Sequence, residues 1–285
     1  MHIVVCIKQV PDSAQIRVHP VTNTIMRQGV PTIINPYDLF SLEQALRLRD
    51  RFAGSSVTVL TMGPPMAEDS LRKALTFGAD RAVLLTDRFF AGSDTLATSF
   101  ALSQAILKIG ETWGAPSLVF TGKQTIDGDT AQVGPGIARR LGLNQLTYVE
   151  SIGAADPEAG TIVADRRAEG CLQQLSTRLP ALITMLEGTC EIRRGSLPDA
   201  LRAARAAVTV WNAEAAGITD MARCGLRGSP TVVKQVFAPK PREVKAEQVA
   251  AATANYAGLA DAAIERILGL QPALEADLLR MAAAY

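Results

Sequence analysis

The 285-residue chain has only two histidines, His2 and His19, both close to its N-terminus. A Ser-His-Asp or Cys-His catalytic set, or a histidine-rich metal centre, needs partners that the rest of the sequence does not supply. The four cysteines, Cys6, Cys171, Cys190 and Cys224, are scattered with no CxxC pair. That spacing excludes a disulfide framework and the common zinc and iron–sulfur ligand sets, so no metal site is expected. No stretch reaches five or six like charges and the formal net charge is +1. An electrostatic footprint for nucleic acid or anionic lipid is therefore missing. No apolar run approaches the ~18 residues of a membrane span. The opening run, residues 1–10, is broken by Lys8 and followed by Pro11, too short and wrongly flanked for a signal peptide. Neither GxGxxG nor GxxxxGK[ST] occurs, which argues against an ordinary dinucleotide dehydrogenase or a P-loop NTPase. A reducing cytoplasm is the expected location. Chemistry, if any, is expected to come from a bound cofactor, with no side chain assigned a catalytic role.

What is present is a composition of 48% hydrophobic and 20% charged residues, the profile of an ordered soluble protein. Short apolar runs recur at residues 3–7, 57–62, 82–85, 118–120 and 181–186. They are nearly continuous rather than alternating, as in strands buried on both faces of a parallel sheet. Helical patterns separate them: Leu39, Leu42, Ala45, Leu46 and Arg49 after Pro36, then Leu71, Ala74 and Leu75, then Leu96, Phe100, Ser103 and Leu107. The alternation predicts right-handed βαβ units in a doubly wound, mostly parallel, Rossmann-like α/β fold. Segments 147–152, 161–166 and 172–178 are more polar and predict an antiparallel meander on the sheet edge. A short helix over 200–206, a strand over 208–211 and an irregular glycine-containing connection over 221–230 follow. From Val244 a helical stripe places Val249, Ala252, Tyr256, Leu259, Ala263 and Ile267 at spacings of three and four. The expected division is a nucleotide-binding α/β domain over 1–185 and a C-terminal arm over 186–285.

The most informative stretch is Gly122-Lys123-Gln124-Thr125-Ile126-Asp127-Gly128-Asp129-Thr130-Ala131-Gln132-Val133-Gly134-Pro135. It follows a predicted strand and leads into a helix through Ile137, Ala138 and Leu141. Unpaired N–H groups and the dipole of a helix N-terminus favour an anion there. Asp129 and Gln132 have capping-box spacing. Asp127-Gly128 reads as a turn with Gly128 at positive φ, so that a β-branched residue at 128 would strain it. Gly122 is read as permitting close approach of a ligand, and Lys123 as a positive charge. The same residues suit a capped helix with no ligand, and spacing alone does not separate the two. Asn35-Pro36-Tyr37-Asp38 marks a second helix start, and Thr61-Met62-Gly63-Pro64 a third loop on the same sheet edge. Loops leaving parallel strands converge at their carboxyl ends.

These residues resemble the β subunit of electron-transfer flavoproteins. The resemblance runs over nearly the whole chain and is closest to the electron-bifurcating, FixABCX-type branch of nitrogen-fixing bacteria. It is carried by Val5-Cys6-Ile7-Lys8-Gln9-Val10-Pro11-Asp12, by Gly29 to Asp38, by Gly122 to Pro135, and by Cys224-Gly225-Leu226-Arg227-Gly228-Ser229-Pro230-Thr231. It implies a nucleotide site at Cys6, Asn35 to Asp38, Met62 and Gly122 to Pro135. Ordinary β subunits hold AMP there. The bifurcating branch holds an FAD that takes hydride from NADH. The implied partners are an α-type (FixB-like) subunit, FixC- and FixX-like quinone-linked subunits, and ferredoxin or flavodoxin. Nucleic acid is not among them, and contact with a membrane is expected only through partners. One departure stands out. Where many β subunits carry a leucine that docks onto acyl-CoA dehydrogenases, this chain has Thr189, which favours a dedicated partner.

Overall fold

The computed structural model describes residues 1–12, 17–18, 25–26 and 31–231, all within the compact unit Met1–Ala238. The stripe that starts at Val244, and His19, lie outside the described residues. In chain order the strands and helices are β1 His2–Cys6, β2 Gln9–Pro11, β3 Arg17–Val18, β4 Ile25–Met26, β5 Thr32–Ile34 and α1 Pro36–Arg51. Then come β6 Ser56–Met62, α2 Glu68–Phe77, β7 Arg81–Leu85, α3 Thr95–Trp113, β8 Leu118–Gly122 and α4 Val133–Leu141. The rest are β9 Asn144–Asp156, β10 Thr161–Ala168, β11 Cys171–Arg178, β12 Ala181–Met185, α5 Leu197–Arg205 and β13 Thr209–Trp211.

Nine strands form one sheet in the order β11-β10-β9-β12-β8-β1-β6-β7-β13. From β9 to β13 every pairing is parallel, and only the β9–β10 and β10–β11 pairings at one edge are antiparallel. This is the doubly wound sheet with an antiparallel edge that the apolar runs predict. The five residues of β1, β8 and β12 are all buried, because alternate side chains feed two separate cores. Ile3 and Val5 pack under α1 and α2, whereas Val4 and Cys6 pack under α3 and α4.

The chain after residue 186 continues these layers. Parallel pairing of β13 with β7 extends the sheet, and Trp211 stacks on Trp113 of α3 with ring centroids 5.9 Å apart. α5 opens with a capping box between Ser196 and Asp199 and packs on α2, where Arg202 donates to the Leu75 and Ala79 carbonyls at 2.9 and 3.1 Å. Before it, Arg193 donates to Glu43 and Asp50 of α1, each at 2.8 Å. Residues 221–228 form two short 3-10 turns, in keeping with an irregular connection.

Candidate functional site

The chain winds from β1 to β6 to β7 on one side, then crosses back to β8 on the other side of β1. The carboxyl ends of β1 and β8 therefore diverge, and their exits leave a crevice at the switch point. A cleft of about 980 Å³ lies there. Four exits wall it: Cys6 to Lys8 after β1, Met62 to Pro65 after β6, Thr86 to Thr95 after β7, and Gly122 to Gly134 after β8.

Its floor is tied together by Asp38 in the first turn of α1. One carboxylate oxygen accepts the Lys8 N–H at 2.7 Å and the other accepts the Gly122 N–H at 3.0 Å. Burial pushes this carboxyl up to about 7, against the pull of its hydrogen bonds and the Lys8 charge. Cys6 beside it is pushed up to about 12 by burial and the Asp38 charge, so its thiol stays neutral. A side chain at Gly122 would run into Asp38 Oδ1 and come within 2.6 Å of Tyr37 Cβ. The close packing of α1 by itself therefore requires glycine at 122, a reason the sequence does not show. Asn35 is the N-cap of α1 but does not cap it with its side chain. Instead its side chain donates to the Gln124 carbonyl at 2.9 Å and accepts the Ile126 N–H at 3.2 Å. Helix α1 thereby holds the loop after β8.

That loop departs from the turn chemistry expected of it. The left-handed residues are Asp129 (φ 50°) and Ala131 (φ 53°), and Gly128 is not among those at positive φ. The capping box is absent too. α4 starts at Val133 with Gln132 as its N-cap and no side-chain cap, because the backbone turns at Asp129 and Ala131 place the acid a turn too early. The Asp129 carboxylate accepts from Gln124 Nε2 at 2.8 Å instead. Asp127 pairs with Lys8 at 2.8 Å across the cleft mouth, which neutralises both charges. Helices α3 and α4 open on the cleft. The α3 terminus is satisfied by its own Asp94, which accepts from Leu96 N and Ala97 N. The α4 terminus carries no such acid, so the Val133 and Gly134 N–H groups and the helix dipole remain available to an anion, Pro135 having no N–H to offer.

A family model described as Electron transfer flavoprotein domain matches residues 22–216. Over 285 residues, all of both chains, the sequence is 70% identical to Protein FixA of Azorhizobium caulinodans. It is 61% identical to Protein FixA of Azotobacter vinelandii over 282 residues, 99% of this chain and 100% of the other. Against the Electron transfer flavoprotein subunit beta of Clostridium acetobutylicum it is 44% identical over 247 residues, 87% of this chain and 90% of that one. The chain belongs to the electron transfer flavoprotein family. Within that family it is a FixA-like, β-type member.

In this electron transfer flavoprotein subunit, the structure brings Cys6, Asp38, Met62 and most of Gly122 to Gly134 onto the cleft. Asn35, Pro36, Tyr37, Ile126, Asp129 and Pro135 do not line it. Asn35, Ile126 and Asp129 act inside the loop network just described, and Pro36 starts α1. Lys123 lies on the cleft, with its ammonium 5.9 Å from the Tyr37 ring and 5.2 Å from the Tyr148 ring. The sequence reading missed the wall after β7, which includes Asp87, Arg88 and Phe90. Its signal was available, since this loop also leaves a parallel strand at the carboxyl edge. The segment matching the family at 224–231 buttresses that wall. Ser229 Oγ accepts the Asp94 N–H at 2.8 Å, and Asp94 accepts the Thr231 N–H at 3.1 Å. Gly225 sits at φ 57° against the Phe89 carbonyl, where no side chain fits.

Proposed function

We propose that the cleft holds the adenosine diphosphate part of an FAD, and that this chain acts as the β-type subunit of an electron-bifurcating complex. The observation that carries the reading is the cleft of about 980 Å³, onto which α4 opens with no side-chain cap. Small-molecule sites span roughly 300–1,000 Å³, and a cleft near the upper end suits a dinucleotide better than a mononucleotide such as AMP. The donor set fits a diphosphate: the Val133 and Gly134 N–H groups at the start of α4, a loop held by Asn35, and Lys123 at the rim.

When bound, the flavin supplies hydride acceptance from NADH and single-electron transfer. The chain's own residues position it, and the neutral Cys6 thiol and buried Asp38 keep the floor free of an exposed charge. The acceptors in this reading would be ferredoxin or flavodoxin on one branch and, through an α-type (FixB-like) subunit, FixC- and FixX-like quinone-linked partners on the other. Thr189 lies in a segment that Arg193 pins to α1, and it offers no apolar anchor for promiscuous docking on dehydrogenases. No helix among the described residues is long and apolar enough to cross a membrane. In this reading the subunit is cytoplasmic and meets the membrane through its partners.

Counting cofactors in the purified αβ pair tests the proposal. Two FAD per pair is the expected result. One FAD with one AMP would assign the cleft to a structural mononucleotide and remove the bifurcating role.

A further inference from the structure

Among the described residues, the one non-glycine at positive φ outside the loop after β8 is Tyr148, at φ 59°. It sits at an irregularity in the pairing of β9 with β12. Ile183 faces Leu146 and Met185 faces Val149, so β9 carries one residue more than its partner. An inserted residue of this kind bends the strand and re-aims a side chain. The N–H that the bulge takes out of the ladder is still satisfied, because it donates to the buried Thr184 Oγ1 at 3.0 Å. Left-handed backbone is unfavourable for an aromatic residue and persists where the surroundings enforce it. Tyr148 is also 38% exposed as a residue, so burial of apolar surface does not account for the arrangement.

What the bulge achieves is a contact. The ring is brought to 5.2 Å from the Lys123 ammonium, on which Tyr37 also closes at 5.9 Å. Lys123 itself is fixed at its backbone, where its N–H donates to the Met185 carbonyl at 2.8 Å. Among the described residues its ammonium meets no carboxylate within ion-pair distance. A lysine side chain is a flexible point charge, and two aromatic faces restrict where that charge can go.

We infer that Tyr148 is a positioning residue for the nucleotide site: the β9 bulge delivers its ring so that Tyr148 and Tyr37 together hold the Lys123 ammonium at the cleft rim, facing the phosphates. The inference rests on the nucleotide reading of the cleft and adds how the site distinguishes a phosphate-bearing ligand from a bare nucleoside. It also explains why β9 tolerates a strained residue where glycine would be relaxed.

The test uses the full-length chain freed of flavin, with ADP and adenosine as calorimetric probes. Tyr148→Gly removes the ring and relaxes the backbone. It is expected to keep or raise the melting temperature while weakening ADP about two- to fivefold, the range of an exposed cation–π contact. Adenosine affinity should not change. Lys123→Gln should show the same selective loss, and adding Tyr148→Gly to it should weaken ADP no further. Tyr148→Phe, which keeps the ring, should retain the parent preference for ADP. Equal losses for ADP and adenosine, or an unchanged ADP affinity in Tyr148→Gly, would overturn the positioning role while leaving the nucleotide site intact. If the parent chain binds neither probe, the nucleotide reading itself fails and this inference falls with it.

Discussion

Replacing Asp38 with asparagine should destabilise the protein by an amount that depends on pH in a defined direction. The two Asp38 oxygens accept from Lys8 N and Gly122 N, and an amide has only one acceptor. One backbone N–H is then left facing an NH2 group in a fully buried site, a loss of about 1–3 kcal/mol. A protonated aspartic acid does not share this defect, because its hydroxyl oxygen keeps a lone pair. Burial raises the folded carboxyl from 3.8 to about 7, so between these values the folded state holds a proton that the unfolded chain has released. The stabilisation is complete below the unfolded value and is lost as pH rises through the folded one. At ~1.4 kcal/mol per unit, the parent forfeits at most about 4 kcal/mol across that window. The amide of the variant does not titrate. Urea denaturation midpoints measured from pH 4 to pH 8 should show Asp38→Asn weaker at pH 4, with the deficit closing as pH rises and the order reversing by pH 8. A deficit that grows with pH would mean that the carboxylate is the preferred buried form, and would refute the reasoning.

Three further variants test the backbone of the loop after β8 and the ion pairs of α1. Ala131 occupies left-handed backbone at φ 53° whereas Gly128 does not. Ala131→Gly should therefore stabilise the chain by roughly 0.5–1 kcal/mol in thermal unfolding, and Gly128→Ala should lack the strain expected of a positive-φ glycine. Glu43 is excluded from solvent, which opposes its ionisation, but its bonds from Arg193 and Arg47 hold it below the ordinary carboxylate range. Its contribution is present above pH 4.5 and is lost on acidification. Glu43→Gln should cost about 1–3 kcal/mol at pH 7, by chemical denaturation, and that deficit should shrink below pH 4.5.

The loop after β8 shows where local rules stop. Strand followed by glycine, polar turn and helix was legible as the wall of a cleft because the order of elements is a local property. The details within it were not. Asp129 and Gln132 have capping-box spacing, yet α4 begins at Val133, since the loop is drawn down by Asn35 from another helix. No window centred on residue 129 contains that partner. The wall after β7 was missed for a different reason. Its place after a parallel strand was readable, but its residues carry no motif to draw notice, and residues 225 and 229 pack behind them from far along the chain.

By itself the sequence determined the layer architecture, the order of the main-sheet strands and their helices though not the short strands β2 to β5, and the edge of the sheet on which the loops of the cleft emerge. Apolar periodicity and helix-start residues act over a few positions, and crossover handedness then leaves few topologies. Only the tertiary structure decided what each residue at that edge does. Asp38 meets Gly122 across 84 positions of chain, and Tyr148 reaches Lys123 through a bulge set by β12. Such contacts depend on where two distant segments come to rest against each other, and the side-chain pattern of neither segment encodes the other's position.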